Sequence, residues 1–248
     1  MFKRSTAIIA LITLLPAWAH ASTDDNWLES YNRVMFDFNM TVDKYVLKPV
    51  AKGYRAVTTQ DMRNRVTSFI SNVNEPVSAA NHTLQGKIEH TFNSVARFAI
   101  NSTLGLGGMF DVASGWGLAK KEVGFDETMA SYCVPDGPFI VVPFFGLFTL
   151  RSGVGYVVDG VTSPAYWAPL NDRNYADKIS YGYTALSAIN SRERALDLLD
   201  DLQKNSVDFY STMRSAYLQN RQLVNAYCHP ESTVPSYDFD FDDEEFED

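Results

Sequence analysis

Cysteine is nearly missing from this chain of 248 residues, which has Cys133 and Cys228 and no others. Two cysteines cannot build a C-x-x-C pair or a four-cysteine metal site. In an oxidising compartment they can pair, or both can stay free and buried. Sequence leaves the two readings open, because it does not give the Cα separation of under about 7 Å that a bridge needs. Histidine is also scarce, with four in all and no H-E-x-x-H pattern. Ser114, in Val-Ala-Ser-Gly-Trp, lacks the first glycine of a G-x-S-x-G elbow. Gly105-Leu106-Gly107-Gly108 follows a helical stripe, not a strand, and no Lys-Ser or Lys-Thr comes after it. It reads as a tight turn and not as a phosphate loop. These absences leave no expected catalytic residue, metal ligand or cofactor, so an enzyme is not expected.

Positive charge is in short supply as well. There are 21 Lys and Arg against 30 Asp and Glu. Eight of the acids crowd into the last eleven residues, 238–248, among three phenylalanines. Without a basic face, nucleic-acid binding is not expected. Long apolar runs are missing too. The first is Ala7 to Leu15, too short for the ~20 residues that span a bilayer. It follows Lys3 and Arg4, is broken by Pro16, and precedes Ala19-His20-Ala21. That is the layout of a cleavable export signal over residues 1–21. A domain over 22–235 and an acidic, disordered tail over 236–248 are expected after it.

What is present is helical periodicity. Trp27, Leu28, Tyr31, Val34, Met35, Phe38, Val42 and Tyr45 recur at steps of three and four, with Asp24 and Asp25 as candidate caps. Met62, Val66, Phe69, Ile70 and Val73 make a second stripe behind Thr58 or Thr59. Glu75-Pro76 reads as a break and a fresh helix start. Ile88, Phe92, Val95, Ala96 and Ala99 make a third stripe. Glycines from Gly105 to Gly124 predict loops and short helices. Helical stripes return at Ile179–Ile189, Ala195–Leu202 and Phe209–Val224. The fold class expected is mostly α, in a single compact domain. Pro138 to Leu150 is the exception, thirteen residues without a charge, broken by Pro143 and Gly146. A hairpin or core strand is the simpler reading, and an interfacial segment is the other.

The motifs fall in a recognisable order. Tyr31-Asn32-Arg33 comes first, with Phe36, Phe38-Asn39 and Lys48-Pro49-Val50. Glu75-Pro76, Asn81 and Leu84-Gln85-Gly86 follow. Next are Arg97-Phe98, Asn101-Ser102-Thr103, Gly105-Leu106-Gly107-Gly108 and Asp111-Val112-Ala113. Gly137-Pro138-Phe139, Pro143, Gly146 and Thr149-Leu150-Arg151 form the middle block, and Asn190-Ser191-Arg192, Asp208-Phe209-Tyr210, Ala216-Tyr217 and Arg221 the last. From about Trp27 to Tyr227 the chain resembles the MlaA (VacJ) family of bacterial outer-membrane phospholipid-transport proteins. The resemblance implies a helical ring in the inner leaflet of the outer membrane, with an amphipathic channel through it. Phospholipid misplaced in the outer leaflet would pass through the channel to a soluble periplasmic carrier, which feeds an inner-membrane ABC transporter. A porin trimer is the implied neighbour. The alternative is a non-enzymatic envelope scaffold that binds a porin or another membrane partner.

In that light Phe139, Ile140, Val141, Val142, Phe144, Phe145, Leu147 and Phe148 become candidates for the lipid path or membrane contact. Two departures from the family pattern stand out. Ser152-Gly153 follows Arg151 where an acidic residue is common, which puts a charge-paired role for Arg151 in question. No cysteine precedes Cys133, whereas the usual member carries an acyl anchor on one. The expectation is a protein at the periplasmic face of the outer membrane that is not lipid-anchored.

Overall fold

The computed structural model describes residues 26–167, 173–226 and 228. The stretch expected to be an export signal, Asp24 and Asp25, and the acidic stretch 236–248 lie outside them. Helix α1 (Asn26–Val42) runs without interruption through a π-helical turn, Asp43–Leu47, into α2 (Lys48–Val57). Pro49 directly follows the π turn and has no N–H to give to the continuous helix. Thr59 then caps α3 (Gln60–Leu84), its hydroxyl accepting from the Met62 N–H at 3.3 Å.

Pro76 does not break this helix, against the sequence expectation. Proline removes one backbone bond, to the carbonyl four residues back. Asn72, Glu75, Ala79 and His82 nevertheless keep one phase across it, and all four are buried. Packing of that row against α4 (Ile88–Thr103) outweighs the lost bond. Gly86 joins the two helices at φ +71, a left-handed turn that glycine adopts without strain.

The glycine-rich stretch yields the short helices α5 (Val112–Gly115) and α6 (Phe125–Ser131). The uncharged run forms a hairpin, as its simpler reading expects. Strand β1 (Phe139–Val142) pairs antiparallel with β2 (Gly146–Thr149), Phe139 opposite Thr149. Helices α7 (Leu150–Thr162) and α8 (Pro164–Trp167) follow. The chain closes with α9 (Arg173–Arg194), α10 (Leu196–Asn205) and α11 (Phe209–Asn225). An apolar core of Phe36, Phe139, Val141 and Tyr210 joins α1, the hairpin and α11. Among the described residues no helix is long and apolar enough to cross a membrane.

Candidate functional site

The interface between α3 and α4 is polar. Asn72, Glu75 and His82 on α3 face inward, and so do Ser94, Arg97 and Asn101 on α4. Glu75 is 1 % exposed and Arg97 2 %. The Arg97 guanidinium donates to Glu75 at 2.6 Å, to both Asp111 oxygens at 3.1 Å, to the Ser114 hydroxyl at 3.0 Å and to the Leu118 carbonyl at 2.6 Å. Asn101 donates to Asp111 at 3.1 Å and accepts from the Ala113 N–H at 2.9 Å. Asp111 thereby caps α5, and the glycine turn is drawn onto the seam. A Cβ on Gly108 would lie 2.4 Å from that of Asn72, so only glycine fits this approach. Gly105 is as tight, with its imaginary Cβ 2.3 Å from the Phe110 carbonyl, and Gly107 takes φ +72. The Asn72 Oδ1, Glu75 Oε2 and Ser94 Oγ atoms are buried and find no hydrogen-bond partner among the described residues.

The outer side of the same helix is apolar. Ile88, Phe92 and Val95 all face out, Phe92 with 70 % exposure. Sequence periodicity finds this stripe but not its direction. In a water-soluble helix the apolar stripe faces the core and the charges face out. Here Arg97 is inside and Phe92 outside. Other exposed apolar residues are Val34 and Phe38 on α1, Tyr45 on the π turn, and Leu104, Leu106, Met109 and Trp116 beyond α4. Scattered surface apolar residues are ordinary in a soluble protein. A helix with its polarity reversed is not.

The hairpin is held by two asparagines. Asn32 donates to the Phe139 carbonyl at 3.1 Å and accepts from the Val141 N–H at 2.8 Å. Asn39 donates to the Val142 carbonyl at 3.0 Å and accepts from the Phe144 N–H at 2.7 Å. Two helical turns advance about 10.5 Å. The three steps along the strand from the Phe139 carbonyl to the Val142 carbonyl advance about 10 Å. The seven-residue spacing therefore matches α1 to the strand, and each amide side chain stands in for a neighbouring strand. Phe144 is held at φ +66 at the hairpin tip, with its ring edge-on to Phe38 at 5.1 Å.

The structure separates the candidate contact residues. Phe139 and Val141 are buried in the core, so they cannot meet lipid from the surface. Alternation along a strand sends neighbouring side chains to opposite faces, and β1 spends one face on α1 and α11. Ile140, Val142, Leu147 and Phe148 are half-buried. Phe144 and Phe145 stand out at the tip. Phe145 and Phe148 both touch Tyr156 of α7.

The remaining family-motif residues hold the frame together. Arg33 pairs with Glu29 at 3.0 Å and Asp208 at 2.9 Å and lies 4.5 Å over the Tyr210 ring. Burial and the Glu29 carboxylate push the Tyr210 hydroxyl up to about 12. Asn81 donates to Asp159 at 3.2 Å and accepts from Thr128 at 2.7 Å, and Gln85 donates to Thr128 at 3.0 Å. Burial raises Asp159 to about 6, against the lowering effect of the Phe125 N–H and Asn81. Arg151 is charge-paired after all. Its partners are Asp126 at 2.9 Å and Asp136 at 3.0 Å, not a residue beside it in sequence. Arg221 binds the same two aspartates, and Asn225 accepts from Arg151 at 2.7 Å. Cys133 and Cys228, Cα atoms 5.1 Å apart, are joined by a disulfide next to this cluster. Sequence reasoning did not single out Asp126, Asp136 or Asp159. None of them carries a local signal, and only the fold brings each to a buried partner.

A family model described as "MlaA lipoprotein" matches residues 24–223. The chain belongs to the MlaA family. A relative in Escherichia coli, the "intermembrane phospholipid transport system lipoprotein MlaA", is 34 % identical over 235 residues, 90 % of this chain and 89 % of its own. The protein of the same name in Haemophilus influenzae is 33 % identical over 236 residues, 89 % and 90 % of the two chains. A solved structure described as "Structural basis for maintenance of bacterial outer membrane lipid asymmetry" is 35 % identical, with a TM-score of 0.66. It covers 80 % of this chain, and 98 % of that chain is matched. The mostly helical, compact MlaA-like fold is thus shared with a solved relative. One expectation is overturned. The family description and the names of both relatives say lipoprotein, against the expectation of a member that is not lipid-anchored. That expectation drew on the lack of a cysteine ahead of Cys133 in the sequence.

Proposed function

We propose that this chain transports phospholipid between the outer and inner membranes of a bacterial envelope. It takes phospholipid misplaced in the outer leaflet of the outer membrane and passes it to a soluble periplasmic carrier, preserving lipid asymmetry. The observation that carries this reading is the reversed polarity of α4, with Arg97, Ser94 and Asn101 inside and Ile88, Phe92 and Val95 outside. A body with apolar outer faces suits a hydrocarbon surround. A polar interior suits a headgroup that must cross it, because unsolvated charge in hydrocarbon is costly. The names of the Escherichia coli and Haemophilus influenzae relatives support the same reading.

In this reading the body forms a ring around an amphipathic channel. An inner-membrane ABC transporter draws on the carrier, and a porin trimer is the neighbour in the outer membrane. The work is binding and passage, with no bond made or broken, so the chain acts without enzymatic chemistry. In this reading Phe144, Phe145, Ile140, Val142 and Phe148 meet lipid at the hairpin, while Leu147 packs against the core opposite Val141. Residues 1–21 serve as the export signal, and 236–248 form a tail outside the folded domain.

The test is a deletion strain and the purified protein. Deletion should raise outer-leaflet phospholipid and detergent sensitivity, and protein extracted in mild detergent should carry phospholipid. Normal outer-leaflet lipid in the deletion strain, with intact detergent resistance, sinks the proposal.

A further inference from the structure

The stretch from Asp43 to Val57 is one helical rod, the π turn running into α2. Lys44, Lys48 and Lys52 recur at four-residue steps and share a row. Val46, Val50 and Val57 make a second row, with Gly53 between them. Ion pairs fix the roll of the rod on the body. Arg192 holds Asp43 at 2.5 Å, Asp200 holds Lys48 at 2.7 Å, and Arg55 holds Glu193 and Asp197 at 2.8 Å each. Ala51 seats the rod and is fully buried.

With the roll fixed, the valine row faces away from the body. Val57 is 79 % exposed, Val46 and Val50 about half, and Tyr45 stands out beside them. Lys44 and Lys52 are exposed next to this row, the Lys44 ammonium 5.4 Å over the Tyr45 ring. The acids that face these lysines are accounted for. Asp43 is taken by Arg192 and Asp197 by Arg55. Asp200 binds Lys48 and also feels Lys52. The rod has four basic residues and one acid in a chain of net charge −9. Apolar residues flanked by lysines are the pattern of a helix lying in a bilayer interface, since lysine stems run along apolar surface and lift the ammonium to the phosphates.

Resting on the phospholipid-transport reading above, we infer that the Asp43–Val57 rod lies in the lipid headgroup layer. Its valines meet acyl chains, and Lys44 and Lys52 bind the phosphates of anionic lipid. The rod thus sets the depth and tilt of the body in the membrane, alongside a lipid anchor of the kind recorded in the relatives' names.

The test is flotation of the purified full chain with phosphatidylethanolamine vesicles, with and without one-third phosphatidylglycerol. Phosphatidylglycerol should raise the bound fraction, and high salt should cancel the gain. Lys44→Gln with Lys52→Gln should cut binding to the anionic vesicles roughly 25-fold, at about fivefold per lysine. The same variant should bind neutral vesicles as the parent does and unfold at the same denaturant concentration. Val46→Ser with Val57→Ser should weaken binding to both vesicles. The inference fails if phosphatidylglycerol makes no difference, if the lysine variant binds as the parent does, or if the parent floats with neither vesicle. Phospholipid that still co-purifies in those cases leaves the transport reading standing, and its absence removes both.

Discussion

Glu75 and Arg97 are as deeply buried as Val141, but what surrounds them differs. Around Val141 the chain buries Phe36, Phe139 and Tyr210, as a soluble protein does. Between α3 and α4 it buries an ion pair and its hydrogen-bond partners and turns Phe92 outward. Removing apolar surface from water drives the first arrangement. It cannot drive the second, in which the larger apolar side chains stay outside. The second interior is held by specific bonds, and its outer face needs something apolar to lie against. One chain therefore answers to two surrounds, with an ordinary core at the hairpin and an inverted one at the helix pair.

The sharpest way to break the comparison is Arg97→Met. The variant leaves Glu75 and Asp111 facing each other without their shared cation. Breaking a buried pair from one side costs about 3–5 kcal/mol. Val141→Ala, in the conventional core, should cost less, about 1.5–3 kcal/mol. Denaturant unfolding in mild detergent compares them. If Arg97→Met proves the milder change, the polar seam does not hold α3 to α4.

The two asparagine clamps come next. Asn32→Ala leaves the Phe139 carbonyl and the Val141 N–H unpaired in a dry site. Each lost bond contributes about 1–1.5 kcal/mol, so a loss of about 2–3 kcal/mol is expected. Asn39 serves the half-buried and exposed end of the hairpin, where water can replace it, and Asn39→Ala should cost about 1 kcal/mol. Hydrogen exchange at the Val141 amide should speed up in the first variant and stay near the parent rate in the second.

A smaller effect sits between the two regions, at Asp159. Burial raises this carboxyl to about 6 in the folded state, from an ordinary 3.8. The folded protein then holds a proton that the unfolded chain has released. Stability from this group is full below about 3.8 and is lost as pH rises through about 6. With allowance for partial solvent access, the loss is on the order of 1–2 kcal/mol. Asp159→Asn should flatten the stability profile between pH 4 and 7. An unchanged slope across that window would assign the pH dependence elsewhere.

Much of this was legible in the sequence, and the limits have physical causes. Periodicity located the helices, because a stripe at steps of three and four marks a face whichever way it points. It could not say that the Ile88–Ala99 stripe points outward, since direction depends on the surroundings. The pairing of Arg151 with Asp126 and Asp136 spans loops and a hairpin, and nothing local signals it. Pro76 misled for a related reason, since a proline's local cost is readable in sequence and the packing that outweighs it is not. Phe139 and Phe144 share one uncharged run. Only the strand's alternation and its clamp by Asn32 and Asn39 separate the buried ring from the exposed one.

The smallest stability change sharpens the comparison most. Phe92 and Ser94 are neighbours on α4, the ring outside and the hydroxyl buried. In a soluble helix Phe92→Ser would remove a core anchor and cost several kcal/mol. Here it should change unfolding in detergent by no more than about 0.5 kcal/mol, as expected for a surface site. Flotation with neutral vesicles should nevertheless fall, because the variant removes apolar area from the face that meets hydrocarbon. The reciprocal change, Ser94→Phe, should cost about 1–3 kcal/mol by overfilling the seam. A soluble protein would show the reverse order. Finding that order here would mean that the exposed stripe is covered by another protein surface and not by lipid, and the inverted helix would then mark a protein interface.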